Sequence, residues 1–214
     1  MTYLFLTYFG YFLLIINFVL YAKGFSKFGG AFKTYTSYLF LLVIVQMAME
    51  IMTLLNILNL YLVHCYFIGQ FILLGIFYRT LLQDSLQKKV VVIAMSIGLL
   101  VLVIQYGIEP DLFFKFNLLE IAITSLLVVF FALMYLYNML TTEKKYYYIT
   151  IGLVIYLLAS TVLFLVGNLT LGLSDELKLM TWTLNAFFVV VNQLFILYEW
   201  KVSFRNKKEI PEEI

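Results

Sequence analysis

Long apolar runs, separated by short clusters of charged residues, follow one another along the whole chain. Each run has roughly the 20 residues that an α-helix needs to cross the hydrocarbon core of a bilayer, about twice the length of a barrel strand. The runs lack the alternation of polar and apolar residues that marks transmembrane strands. The pattern therefore predicts an all-α membrane protein, a seven-transmembrane helix bundle with spans near 2–22, 35–58, 60–82, 90–108, 112–140, 146–168 and 178–200.

These spans make residues 1–200 one transmembrane domain and leave 201–214 as a short cytoplasmic tail. The second and third spans are separated only by the residues LNL around Asn59, which predicts a tight antiparallel hairpin. The first span lacks the charged leader and the small-residue cleavage site of a signal peptide, so we expect it to remain in the mature protein.

Composition agrees with a protein that lives in lipid. Charged residues make up 12% of the 214 residues, about half the usual share of a soluble domain. The mean hydropathy is +1.00. Seven spans and short loops use up this length, so no separate soluble module is expected. We expect the lipid bilayer as a partner and no binding of nucleic acid, and the oligomeric state is left open.

The distribution of lysine and arginine predicts the orientation, because positive residues are retained on the cytoplasmic side. Loops on one side carry twelve of the fourteen, and the other side has only Lys115 and Lys178, among acidic residues. The N-terminus is therefore expected outside and the C-terminus in the cytoplasm. The twelve are Lys23, Lys27, Lys33, Arg79, Lys88, Lys89, Lys144, Lys145, Lys201, Arg205, Lys207 and Lys208.

Candidate chemistry outside the polar residues of the spans is sparse. A single histidine and a single cysteine, without metal-ligand spacing, predict no metal site and no disulfide within the chain. We expect no cofactor. Many tyrosines lie near the predicted span ends, including Tyr21, Tyr35, Tyr38 and Tyr146, and this is typical of an aromatic belt at the membrane interface.

Polar side chains within the spans need a different explanation, because an ionisable group in hydrocarbon costs several kcal/mol and is retained for pairing or function. In four spans these residues follow one another at mostly helical spacing, so they predict polar stripes that face inward. The stripes comprise Gln46, Glu50 and Thr53; His64, Tyr66 and Gln70; Asn117, Glu120 and Thr124; and Thr181, Asn185, Asn192 and Glu199.

The depth of these residues suggests a shared pocket. At 1.5 Å per residue, four of them lie roughly 6 to 12 Å beneath the outer surface. Tyr66 and Gln70 are four residues apart and share one face of the third helix. We therefore expect an outward-facing polar pocket whose ligand-binding residues are Glu50, His64, Tyr66, Gln70, Glu120 and Asn185.

Two interpretations of such a pocket compete. The polar groups either hydrogen-bond one another and hold the bundle in register, or bind a small polar or amphipathic ligand that arrives from outside. Catalysis is a third interpretation, but no catalytic residue is predicted because no nucleophile has an activating base at helical spacing. The residues favour a binding protein over an enzyme.

A resemblance adds to this interpretation. The segments NLYLVHCYFIGQF and WTLNAFFVVVNQLFILYEW, with Tyr78 and Arg79 between them, resemble a group of small bacterial seven-helix membrane proteins of unassigned function. Related seven-helix regions in that group precede histidine kinase modules. The chain has Gln70 where the third helix of that group carries an acidic residue.

The resemblance implies a sensor-like or receptor-like module, located in the bacterial cytoplasmic membrane. Fourteen tail residues are too few for a catalytic domain, so we expect signalling through a separate cytoplasmic or membrane protein partner. The alternatives that remain open are a small-molecule or ion transporter, a lipid-modifying enzyme without metal, and a structural subunit of a membrane complex.

Overall fold

The computed structural model describes residues 2–141, 144–169 and 175–205, and this part of the chain is all-helical. Seven of its α-helices are long and apolar enough to cross a membrane. A short 3₁₀ helix, Pro110–Phe114, lies between α4 and α5, and one turn of π-helix, Trp200–Phe204, continues α7. The seven are α1 (Thr2–Lys23), α2 (Gly30–Leu54), α3 (Leu60–Leu81), α4 (Ser85–Ile108), α5 (Leu118–Asn138), α6 (Tyr147–Leu169) and α7 (Asp175–Glu199).

Six of these helices form a closed ring. Neighbours pack in the order α1, α2, α3, α5, α6, α7, and α7 packs against α1 again. Helix α4 packs against α3 and α5, so it lies outside the ring. Its buried residues are few, namely Val91, Gly98 and Leu102. None of the seven helices contains proline, since Pro110 belongs to the 3₁₀ helix and Pro211 to the tail.

Contacts between helix ends show that successive helices run in opposite directions. At one end, the ring of Tyr21 in α1 stacks on Phe32 in α2, and Phe77 near the end of α3 meets Tyr146 just before α6. At the opposite end, Phe164 in α6 meets Trp182 in α7. The loops with the many lysines and arginines therefore share the first end, which we call the cationic end.

The hairpin between α2 and α3 is longer than its sequence suggests. Helix α2 ends at Leu54, and Asn56 adopts a positive φ of 56°, a conformation that asparagine tolerates better than most residues. The side-chain amide of Asn59 donates to the Met49 carbonyl at 3.0 Å and to Thr53 Oγ1 at 2.8 Å. These hydrogen bonds tie the start of α3 to the last turns of α2.

An aromatic cluster fills the core at the cationic end. Tyr21, Tyr35 and Tyr38 are completely buried, and Tyr146 is 2% exposed. The expectation that these four tyrosines belong to an interfacial belt is therefore wrong, because their rings pack against one another and against Phe77 and Trp200. The proximity of a tyrosine to a helix end does not tell whether its ring faces lipid or the neighbouring helices.

Close packing of α6 on α7 leads to the first prediction. A Cβ at Gly152 would lie 2.7 Å from Phe195 Cβ and 3.0 Å from Asn192 Oδ1. Because Phe195 Cβ is fixed to its backbone, the two helices would have to separate. We expect Gly152→Ala to lower the free energy of unfolding by about 1–3 kcal/mol, measured by reversible unfolding in mixed detergent micelles.

The matched control is Gly107→Ala in α4, where an added Cβ meets no atom within 4 Å. There the higher helix propensity of alanine should leave stability unchanged or raise it by up to about 1 kcal/mol. Equal effects of the two substitutions would contradict the close approach of α6 and α7 at Gly152.

Candidate functional site

A cavity of about 290 Å³ lies inside the helix ring, toward the end opposite the cationic end. Its walls come from α1, α2, α3, α6 and α7, with Phe116 from the segment before α5. Phe164 contacts the rings of Phe67, Phe116 and Trp182, so these four aromatic residues form one side of the cavity. We call this group the aromatic wall.

Aliphatic side chains and neutral polar groups line the rest of the cavity, and several of the polar groups pair across helices. The Gln46 side-chain amide donates to the Tyr11 hydroxyl at 2.6 Å, which joins α2 to α1. The hydroxyls of Tyr66 and Tyr156 are 2.8 Å apart and join α3 to α6. These hydrogen bonds stabilise the ring at the level of the cavity.

Two asparagines of α7 also line the cavity. Asn185 Oδ1 accepts a hydrogen bond from Ser160 Oγ at 2.7 Å. Asn192 is 2% exposed, and its Oδ1 has no hydrogen-bond partner among the described residues. A buried unpaired amide oxygen costs about 1–3 kcal/mol, so this atom is suited to accept a hydrogen bond from a ligand or a water molecule.

A second polar cluster lies at the same end of the bundle, between α3, α4 and α5. His64 Nδ1 is 2.9 Å from Glu120 Oε2, and both side chains are buried. The Tyr106 hydroxyl lies 2.8 Å from His64 Nδ1 and also donates to Glu120 Oε2. We call these three residues the histidine–glutamate cluster.

Neighbouring side chains hold this cluster in place. Asn117 caps α5 by accepting from the Glu120 amide at 3.2 Å, and its side-chain amide donates to the Tyr106 hydroxyl. The ring of Phe113, in the 3₁₀ helix, contacts the rings of both His64 and Tyr106. His64 Nε2 and Glu120 Oε1 are buried without a partner in the described part of the chain.

The six predicted ligand-binding residues do not share one pocket. Tyr66 and Asn185 line the cavity. His64 and Glu120 belong to the histidine–glutamate cluster, which does not contribute to the cavity lining. Glu50 is partly exposed and accepts from the Tyr8 hydroxyl at 3.1 Å, while Gln70 accepts from Tyr38 at 3.1 Å. Gln70 itself does not line the cavity, but it binds Tyr38, which does.

Several residues of both sites are absent from the predicted set. Tyr106 and its neighbour Gln105 lie in α4, one of the three helices without a predicted polar stripe. Two adjacent polar residues near the end of an apolar span were nevertheless a usable signal. Asn192 belongs to the predicted stripe of the seventh span but not to the predicted pocket. Tyr11 and Tyr156 carry no signal in the sequence that separates them from other tyrosines.

The chemistry of the two sites differs. The cavity is suited to non-covalent binding, because its polar groups are amides and hydroxyls. The histidine–glutamate cluster contains groups that can hold and exchange a proton. The described hydrogen bonds of its three side chains join them to one another and to Asn117. No group of three or more His, Cys, Asp and Glu side chains that could hold a metal ion occurs in the described ranges.

The sequence matches no known protein family, and no curated protein or solved structure matches it.

Proposed function

We propose that this protein is a sensor or receptor-like protein of the bacterial cytoplasmic membrane that binds a small polar or amphipathic ligand in the cavity. In this proposal the seven helices form a transmembrane bundle with the N-terminus outside and the cationic end in the cytoplasm. The sensor class and the bacterial membrane belong to this proposal and follow what the segments NLYLVHCYFIGQF and WTLNAFFVVVNQLFILYEW imply by resemblance. The cavity then opens toward the outer half of the membrane, and a ligand reaches it from outside.

The observation that carries the proposal is the cavity itself. Protein interiors are close-packed, with few voids larger than a water molecule. A space of about 290 Å³ lined by amides, hydroxyls and aromatic rings departs from that rule. It approaches the size and the mixed apolar and polar lining of small-molecule pockets. A purely structural polar network needs no such space, and the side chains of the histidine–glutamate cluster contact one another directly, away from the cavity lining.

Helix α7 provides a route from the cavity to the cytoplasm. Its residues Trp182, Asn185 and Asn192 lie on the cavity wall. Its last residue, Glu199, accepts hydrogen bonds from the backbone amides of Tyr146 and Tyr148 at 3.1 and 2.8 Å. A ligand that shifts α7 would therefore also shift the start of α6 and the loop before it, where a separate signalling partner would bind.

The experiment fills the cavity and asks whether a bound molecule is lost. We expect the full chain, purified from membranes in mild detergent, to carry a small molecule that native mass spectrometry detects. Ala186 lines the cavity and is 8% exposed, so Ala186→Trp should place an indole ring in that space. This variant should reduce the bound fraction at least about tenfold, which corresponds to about 1.4 kcal/mol.

The matched control is Leu184→Trp, which adds the same ring to α7 at a residue that is 39% exposed and does not line the cavity. It should retain the bound molecule. A species that both variants retain would be a surface lipid, and a wild-type chain that carries none would lack the ligand we propose. Either result would count against ligand binding in the cavity.

A further inference from the structure

The cavity lining also identifies the class of ligand. Resting on the proposed function, we infer that the cavity binds an uncharged, ring-shaped molecule of about two fused rings that donates at least one hydrogen bond, from a hydroxyl or an N–H group. Three independent features of the cavity support this assignment: the charge of its lining, the unpaired oxygen of Asn192 and the aromatic wall.

The first feature is the absence of charge. None of the residues that line the cavity is Asp, Glu, Lys, Arg or His. An ionised ligand moved from water into such a site loses its hydration and finds no opposite charge, which costs several kcal/mol. The two buried carboxylates of the described chain, Glu120 and Glu199, do not line the cavity and accept hydrogen bonds from other groups. The lining therefore selects against carboxylates, phosphates and ammonium groups.

The second feature is the Asn192 side chain, which is buried, lines the cavity and has an oxygen without a donor. The oxygen lies against Gly152 of α6, 3.0 Å from the place a Cβ would take, and glycine has no side chain that could donate to it. A ligand that brings a donor to Oδ1 removes the cost of the unpaired oxygen, whereas one without a donor leaves that cost in place. The site therefore discriminates between an alcohol and the corresponding hydrocarbon.

The third feature concerns shape. The aromatic wall presents the rings of Phe67, Phe116, Phe164 and Trp182, with neighbouring ring centres 5.5 to 6.1 Å apart. Aromatic rings prefer flat partners in stacked or edge-to-face arrangements. An engineered apolar cavity of about 150 Å³ holds one benzene ring. The cavity of about 290 Å³ is roughly twice as large, which corresponds to two fused rings.

A matched series of three probes tests this assignment on the full chain in lipid nanodiscs. The probes are 2-naphthol, which is neutral and donates one hydrogen bond; naphthalene, which has no donor; and 2-naphthoate, which is charged. Binding is measured by equilibrium dialysis against empty nanodiscs. We expect 2-naphthol to bind about 5- to 100-fold more tightly than naphthalene, the range for pairing a buried polar atom. 2-Naphthoate should bind least.

Two variants locate the effect. Asn192→Leu keeps the volume but removes the acceptor, so it should abolish the preference for 2-naphthol over naphthalene while naphthalene still binds. Thr183→Val is the control on the same helix, because Thr183 is partly exposed, does not line the cavity and donates its hydroxyl to the Leu179 carbonyl at 2.6 Å. It should leave all three affinities unchanged. Ala186→Trp should block the series.

The possible failures separate the two proposals. If 2-naphthoate binds as tightly as 2-naphthol, if Asn192→Leu keeps the preference, or if no probe binds, the ligand class is wrong. The loss of a co-purified molecule in Ala186→Trp would still support a ligand-binding cavity. If Ala186→Trp leaves both the co-purified molecule and 2-naphthol in place, binding occurs elsewhere and both proposals fail.

Discussion

Glu120→Leu is expected to lower the free energy of unfolding by about 3–5 kcal/mol, the largest effect of any single substitution considered for this protein. Glu120 is fully buried and accepts hydrogen bonds from His64 and Tyr106. Its removal takes away the carboxylate acceptor, so the buried imidazole and the phenol keep only each other and Asn117 as described side-chain partners. Reversible unfolding of the purified chain in mixed micelles, at pH 7, measures the change.

A double-mutant cycle shows whether the loss comes from the pair. His64→Leu alone should also be strongly destabilising, because the buried carboxylate then keeps only the Tyr106 hydroxyl as a described side-chain partner. The double variant should lose at least about 1 kcal/mol less than the sum of the two single losses, since neither partner then remains buried alone. Strict additivity would contradict a direct His64–Glu120 interaction.

The control for this cycle is Glu50→Gln, a change to another carboxylate of the spans. Glu50 is partly exposed, and its described hydrogen bond is to the Tyr8 hydroxyl, a partner that glutamine can keep. We expect little change in stability. A loss as large as that of Glu120→Leu would mean that burial does not distinguish the two carboxylates.

Glu199→Leu is expected to have the second-largest effect, a loss of about 3 kcal/mol. Glu199 is 1% exposed and accepts from the Tyr146 and Tyr148 amides at the start of α6 and from the Ser203 hydroxyl. The carboxylate acts as a helix cap supplied by a distant part of the chain, and its negative charge also suits the N-terminus of α6. Leucine leaves these backbone donors unpaired.

Two milder substitutions test whether the loss of stability comes from the cap on α6. Glu199→Gln keeps an acceptor oxygen but loses the charge, so its loss should be about half that of leucine. Ser203→Ala removes one donor and leaves both backbone contacts, so it should cost at most about 1 kcal/mol. Hydrogen exchange of the first turn of α6 should quicken in Glu199→Leu and not in Ser203→Ala. Unchanged exchange in Glu199→Leu would contradict its role as a cap.

Hydropathy was sufficient to predict seven helices, because each span must satisfy its backbone hydrogen bonds internally and this requires about 20 apolar residues. The ends of the helices were less predictable. Helix α4 begins at Ser85 because Asp84 accepts from the Leu86 amide at 2.9 Å, whereas the predicted span starts at 90, after the charged residues. At such a boundary a charged residue lowers the local hydropathy, which predicts that the span has not yet begun. The same residue can cap a helix and so mark its start.

The candidate site could be predicted only as a set of inward polar residues. Depth along each helix predicts one level for Glu50, His64, Glu120 and Asn185, but it does not assign neighbours around the ring. His64 and Glu120 meet because α3 packs on α5, while Glu50 lies beside α1. The order of helices around the ring depends on packing between spans of similar hydropathy, and a single sequence carries little information about it.

The absence of proline from all seven helices determines how the cavity can change volume. Sharp bends in helices occur mostly at proline, at Gly/Ser pairs or at π-bulges, and the π-helical turn of this chain lies at the cationic end, away from the cavity. The segments around the cavity therefore behave as nearly straight rods. Ligand entry would proceed by a shear motion, in which whole helices slide along their neighbours by an ångström or two, and not by a hinge within one helix.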